Sequence, residues 1–96
     1  MTSSASFSLA AFSAQVGTSF TLADSPSLAL ELTAATPLDA QHPHDSQFSL
    51  ILHGPLQPAL EQAIYTFTHA QMAALTMFIV PIGRDATGMS YQAVFN

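Results

Sequence analysis

Four residues in one short stretch, "HPHD" at 42–45, are the first place to look for chemistry. His42 and His44 are two apart, so an extended backbone can turn both imidazoles the same way, with Asp45 beside them. Zinc and nickel accept imidazole and carboxylate ligands. The spacing matches no standard zinc pattern, and Pro43 only stiffens the segment. The favoured reading is a polar loop, with His42, His44 and Asp45 as weak metal candidates and no cofactor expected. The other two histidines, His53 and His69, each end an apolar run. A half-buried histidine with a backbone partner explains each better than catalysis does. There is no G-x-S-x-G elbow, no paired-carboxylate motif and no glycine-rich phosphate loop. Thiolate chemistry, disulfides and cysteine metal sites are excluded, because the chain has no cysteine. The expectation is a protein without enzymatic activity.

Composition narrows the partners. The formal net charge is −5, with one arginine and no lysine. Phosphate backbones need clustered cations, so nucleic acid is not an expected partner. An anionic membrane surface is disfavoured for the same reason. No apolar run approaches the roughly 20 residues of a membrane span. The start, "MTSSASFSLAAFSAQVG", lacks a basic segment before its apolar residues, so a secretory signal is not expected, and cytoplasmic synthesis is. Only 7% of residues are charged, against about 25% in an average soluble protein. A surface so poor in charge repels its own copies weakly. Self-association or docking onto another protein is therefore the expected behaviour.

Chemistry of any kind needs elements to hold it, and those follow from periodicity. The 96 residues read as a single β domain, 1–96, with 1–6 as a loose N-terminal segment. Ser8 can cap a short helix, "LAAFSAQV", stopped by Gly17. "TSFTL" alternates, with Phe20 and Leu22 on one side. "SLALELTA" is the clearest strand, with Leu28, Leu30 and Leu32 inward and Ala29, Glu31 and Thr33 outward. "FSLILHG" turns Phe48, Leu50 and Leu52 inward. The stretch after Pro58 nearly follows a helical stripe, but "AIYTFTH" is rich in β-branched and aromatic residues. A strand over 62–69 is expected. "TMFIVPI" is apolar on both faces, as for a strand covered on both sides. Pro81 belongs near a strand end or a bulge, and "GRDATG" reads as a loop. "MSYQAVF" returns as a strand that can be central if both neighbours arrive earlier in the chain. The fold class is all-β: a small antiparallel β-sandwich or partly closed roll of about six strands, with a short N-terminal helix.

The runs "FSLILHGP", "IYTFTH", "MFIVPIG" and "YQAVFN" resemble a family of small bacterial domains of unknown function. Its members close on a Tyr-x-Ala-Val-Phe-Asn pattern, matched here up to Asn96. The resemblance spans residues 47–96 well and 15–35 more thinly. The chain departs from the family at "MAAL", where members carry a Leu-Gly pair, and lacks a glycine before the Tyr strand. The resemblance carries over no catalytic residue. It implies a link to phage-tail-collar-like proteins, and through it a structural role in a fibre, an appendage or an assembled extracellular particle.

The combined expectation is a structural or adaptor subunit. Its candidate interface residues are Phe7, Leu9, Phe12, Thr33 and Arg84. The first three need burial somewhere, even as a swapped segment. Strands 18–23 and 28–34 offer edges dressed in Thr, Ser and Ala, where lysine would normally guard against pairing. Arg84 reads as a solvated turn residue or as an ion-pair partner for Asp24, Glu31 or Glu61 of another subunit. The alternative is a small ligand-binding module, for sugar or metal, using the 37–47 loop.

Overall fold

A computed structural model describes residues 8–39, 41, 47–57 and 59–95. Helix α1 (Leu9–Ser13) is followed by strands β1 (Ser19–Leu22), β2 (Ala29–Pro37), β3 (Phe48–Gly54), β4 (Ala63–Thr68), β5 (Leu75–Asp85) and β6 (Gly88–Phe95). All pairings are antiparallel, and the strands close into a barrel in the order β1-β2-β3-β6-β5-β4. Of the two architectures expected, the roll is the one that forms, as one sheet. Residues 63–68 are strand, because Ile64, Tyr65 and Thr66 pack better on a pleat than on a helix. The last strand is central: β6 pairs with β3 along seven positions and with β5 on its other side.

Closure changes what the edges can do. β1 bonds to β2 on one side and to β4 on the other. The segments 18–23 and 28–34 are therefore not open edges, and addition of a foreign strand to them is excluded in this state. The β1–β4 seam is short, with Thr21 opposite Thr68 and Leu22 opposite Phe67. The Ala23 N–H donating to the Thr66 carbonyl at 2.9 Å extends it by one bond.

The core fills the barrel. Leu30, Leu32, Phe48, Leu50 and Leu52 point inward from β2 and β3, facing Phe67, Met77, Ile79, Tyr91 and Ala93 from β4, β5 and β6. Helix α1 seals one end. The Ser8 hydroxyl accepts from the Ala11 N–H at 3.1 Å and so caps it. It is shorter than the 9–16 expected, because residues 14–17 turn to bring Thr18 onto β2, with the Gly17 N–H donating to the Leu32 carbonyl at 2.7 Å. Gly17 makes that turn at φ +94°, which L-residues adopt at a cost. The seal itself is Phe12, fully buried among Phe20, Phe48 and Phe95 at ring separations of 6.0, 5.5 and 5.4 Å. Burying such a ring contributes about 2 kcal/mol.

Two bulges adjust the wall. The β2–β3 register shifts between Leu32 and Ala34, and Thr33 answers by donating its hydroxyl to the Ile51 carbonyl at 3.1 Å. The β5–β6 register shifts between Pro81 and Gly83, and a bulge is one of the few strand positions that accommodate a residue without an N–H. "GRDATG" is not a long loop: Gly83, Arg84 and Asp85 continue β5, and only Ala86 and Thr87 turn. Asp85 makes so tight a turn possible, because its Oδ1 accepts from the Thr87 N–H, the Thr87 hydroxyl and the Gly88 N–H.

Candidate functional site

The outside of β5 is where the sequence reading fails most instructively. Apolar residues on both faces predicted cover on both sides. Instead Leu75, Met77 and Ile79 enter the core while Phe78 and Ile82 stay 48% and 50% exposed. Ile64 on β4 lies directly opposite Phe78 and is 70% exposed. The β5–β6 pairing ends with Val80 opposite Gln92, and continuing that register by two residues sets Phe78 toward Val94, itself 48% exposed. Ile64, Phe78 and Val94 thus form one row across three strands, with Val80 a step away on the same face. Strands sit about 4.8 Å apart, so a directly paired couple such as Ile64 and Phe78 lies side by side on this face. The row contains no charged side chain.

The sealed end of the barrel carries a histidine clamp. His69 follows β4 and meets Thr18, which precedes β1, at 2.7 Å. The Thr18 hydroxyl donates to the Gln15 carbonyl at 2.7 Å, and the Gln71 N–H donates to His69 Nδ1 at 2.9 Å. Nδ1 is therefore an acceptor, and the ring proton sits on Nε2, donating to Thr18. The Phe20 ring lies 4.3 Å away. This arrangement suits only the neutral imidazole, and burial lowers the His69 pKa from its ordinary value. His53 sits at the opposite end, with Nε2 3.3 Å from the Thr87 hydroxyl. The hydrogen bonds from Thr87 hold the Asp85 carboxyl below the usual carboxylate range. The group braces a turn, with the Thr87 hydroxyl donating to Asp85.

That opposite end also holds a cleft of about 630 Å³, between the β1–β2 turn and the β3–β4 loop. Leu22, Leu28 and Leu60 form its apolar lining, Tyr65 contributes its aromatic ring, and Asp24 is its one charged residue. The cleft is pinned from within. The Leu60 N–H donates to the hydroxyl of fully buried Tyr91 at 2.9 Å, and the Tyr65 hydroxyl donates to the Glu61 carbonyl at 2.6 Å.

The expected interface residues scatter. Phe12 finds its burial inside its own barrel, so it offers no surface and calls for no second copy. Leu9 packs, half-buried, against the same core. Thr33 and Arg84 are exposed, on β2 and at the end of β5 respectively. Phe7, His42, His44 and Asp45 lie outside the described residues, as does most of the proposed binding loop. Among the described residues no group of three His, Cys, Asp or Glu could hold a metal ion. Nor is any helix among them long and apolar enough to cross a membrane. The Ile64–Phe78–Val94 row was missed, though the two-faced apolar run 77–82 was its visible signal.

A family model described as "Domain of unknown function (DUF6916)" matches residues 7–95. No curated protein matches the chain, and no solved structure does.

Proposed function

The chain belongs to this family of unknown function, and from that premise we propose that it is a non-enzymatic structural subunit that binds a second copy of itself through the outer face of β4, β5 and β6. The observation that carries the reading is the row Ile64, Phe78 and Val94, exposed on a wall that presents no charge there. Scattered apolar residues on a surface are ordinary, whereas contiguous ones mark contact sites. Two acidic copies meeting elsewhere would bring like charges together; meeting at this row, they bury apolar and uncharged polar side chains. The family resemblance extends the proposal to repeated copies in a fibre or phage-tail-like appendage of a bacterial system. Arg84 then has a role at the rim, facing a carboxylate of a neighbouring copy.

Light scattering across a concentration series tests this. The expected result is a dimer or larger assembly whose association constant changes little with salt, because few charges contribute. A strict monomer at high micromolar concentration would end the self-association reading and leave the face to a different protein.

A further inference from the structure

The cleft at the open end of the barrel is independent of the docking face and has a definite chemistry. We propose that it binds an organic ammonium group carried on a small apolar body. The volume, about 630 Å³, falls within the roughly 300–1,000 Å³ usual for small-ligand sites. The lining divides by chemistry. Leu22, Leu28, Leu60 and Pro55 offer apolar surface, while Ser25, Ser27 and Gln57 supply uncharged hydrogen-bonding groups. Asp24 supplies the single charge, and it is negative. No lysine or arginine lines the cleft, and the chain's only arginine, Arg84, is elsewhere. An anionic ligand would meet a carboxylate and no cation. A purely apolar ligand would leave the hydroxyls and the carboxylate without partners. An ammonium answers all three features: Asp24 neutralises it, serine hydroxyls accept hydrogen bonds from its remaining N–H groups, and Tyr65 offers an electron-rich ring.

The pocket is built before any ligand arrives. The β3–β4 loop is anchored to the barrel twice, by the Leu60 N–H on the Tyr91 hydroxyl and by the Tyr65 hydroxyl on the Glu61 carbonyl. The β1–β2 turn is closed by the Leu28 N–H donating to the Ser25 carbonyl at 2.9 Å. Preformed walls reduce the ordering cost of binding. The same ammonium chemistry has two sources, a free amine or a lysine side chain presented by another polypeptide.

Titration of the isotope-labelled full chain by NMR tests the site. Phenethylammonium is expected to shift the amides of Asp24, Ser25, Ser27 and Tyr65, while hydrocinnamate, its carboxylate counterpart, leaves them in place. Asp24→Asn, which removes the charge at an exposed position, is expected to weaken phenethylammonium binding by about two- to fivefold. Ser27→Phe, which fills the cleft and keeps the carboxylate, is expected to abolish it; an unchanged spectrum elsewhere shows that each variant folds. A capped lysine peptide separates the sources: tighter binding than the free amine points to a polypeptide partner, weaker binding to a small amine. Equal binding of hydrocinnamate, undiminished binding by Asp24→Asn, shifts confined to other residues, or no shift with either amine would overturn the proposal.

Discussion

Strands β2 and β3 turn Leu30, Leu32, Phe48, Leu50 and Leu52 inward and carry Glu31, Thr33, Thr36 and Ser49 on their outer side. Strands β4, β5 and β6 turn Phe67, Leu75, Met77, Ile79 and Tyr91 inward and carry Ile64, Phe78 and Val94 outside. The inner layers are interchangeable in kind. The outer layers are not. On the first half, Thr36 and Ser49 sit opposite each other with hydroxyls 3.2 Å apart, a pair that water tolerates. Ser49 in turn pairs with Val94 on β6, and across β4 and β5 the outer pairs are Thr66 with Thr76 and, next to it, Ile64 with Phe78. Strand burial in this fold therefore needs only one apolar face, and under the proposal above a second copy covers the exposed apolar residues of β4–β6.

Breaking the layer that both halves share gives the largest effect. Phe12→Ala empties the aromatic seal between β1, β3 and β6. It is expected to cost about 3–5 kcal/mol in urea unfolding, with both halves lost together. A loss under about 1 kcal/mol would mean that the seal is not part of the core.

The next change acts on the difference itself. Phe78→Lys is expected to weaken self-association by at least about tenfold while changing the unfolding midpoint little, because the side chain is half exposed. Loss of stability without loss of association would reverse the assignment.

Acid should act at the seam joining the two halves. His69 is held neutral, so its folded pKa lies below the ordinary value near 6.5. Below that ordinary value the unfolded chain takes up a proton that the folded chain refuses, so stability falls as pH drops and stops falling below the folded pKa. The wild type should be less stable at about pH 5 than at about pH 7. His69→Asn should flatten that slope. An unchanged slope in the variant would place the titration elsewhere.

The smallest effect belongs to the hydroxyl-clad half. Thr33→Lys removes one hydroxyl–carbonyl bond at the β2 bulge and is expected to cost about 1 kcal/mol of stability. It should leave association nearly unchanged, since Thr33 lies away from the apolar row. A large loss of association would move the contact to β2.

Much of this fold is legible in the sequence, and the exceptions are physical. The alternation of "LALEL" and "FSLILHG" gives β2 and β3 directly, since a half-buried strand must repeat every second residue. "AIYTFT" gives β4 through side-chain branching. Closure is not legible, because the β1–β4 seam rests on two residue pairs contributed by segments more than 40 positions apart. The cleft escapes for the same reason, its two loops being separate in sequence. The run "TMFIVPI" points to cover on both faces, but apolar outer residues look alike in sequence whether the fold buries them or, as with Phe78 and Ile82, leaves them half exposed.

Mixed-isotope NMR on equal parts of differently labelled chains measures the central claim most directly. Magnetisation crossing between copies should connect the methyls of Ile64 and Val94 with the ring of Phe78, at concentrations where light scattering finds assemblies. Cross-copy contacts confined to Thr33, Arg84 or the cleft, or none in an assembled sample, would contradict the account.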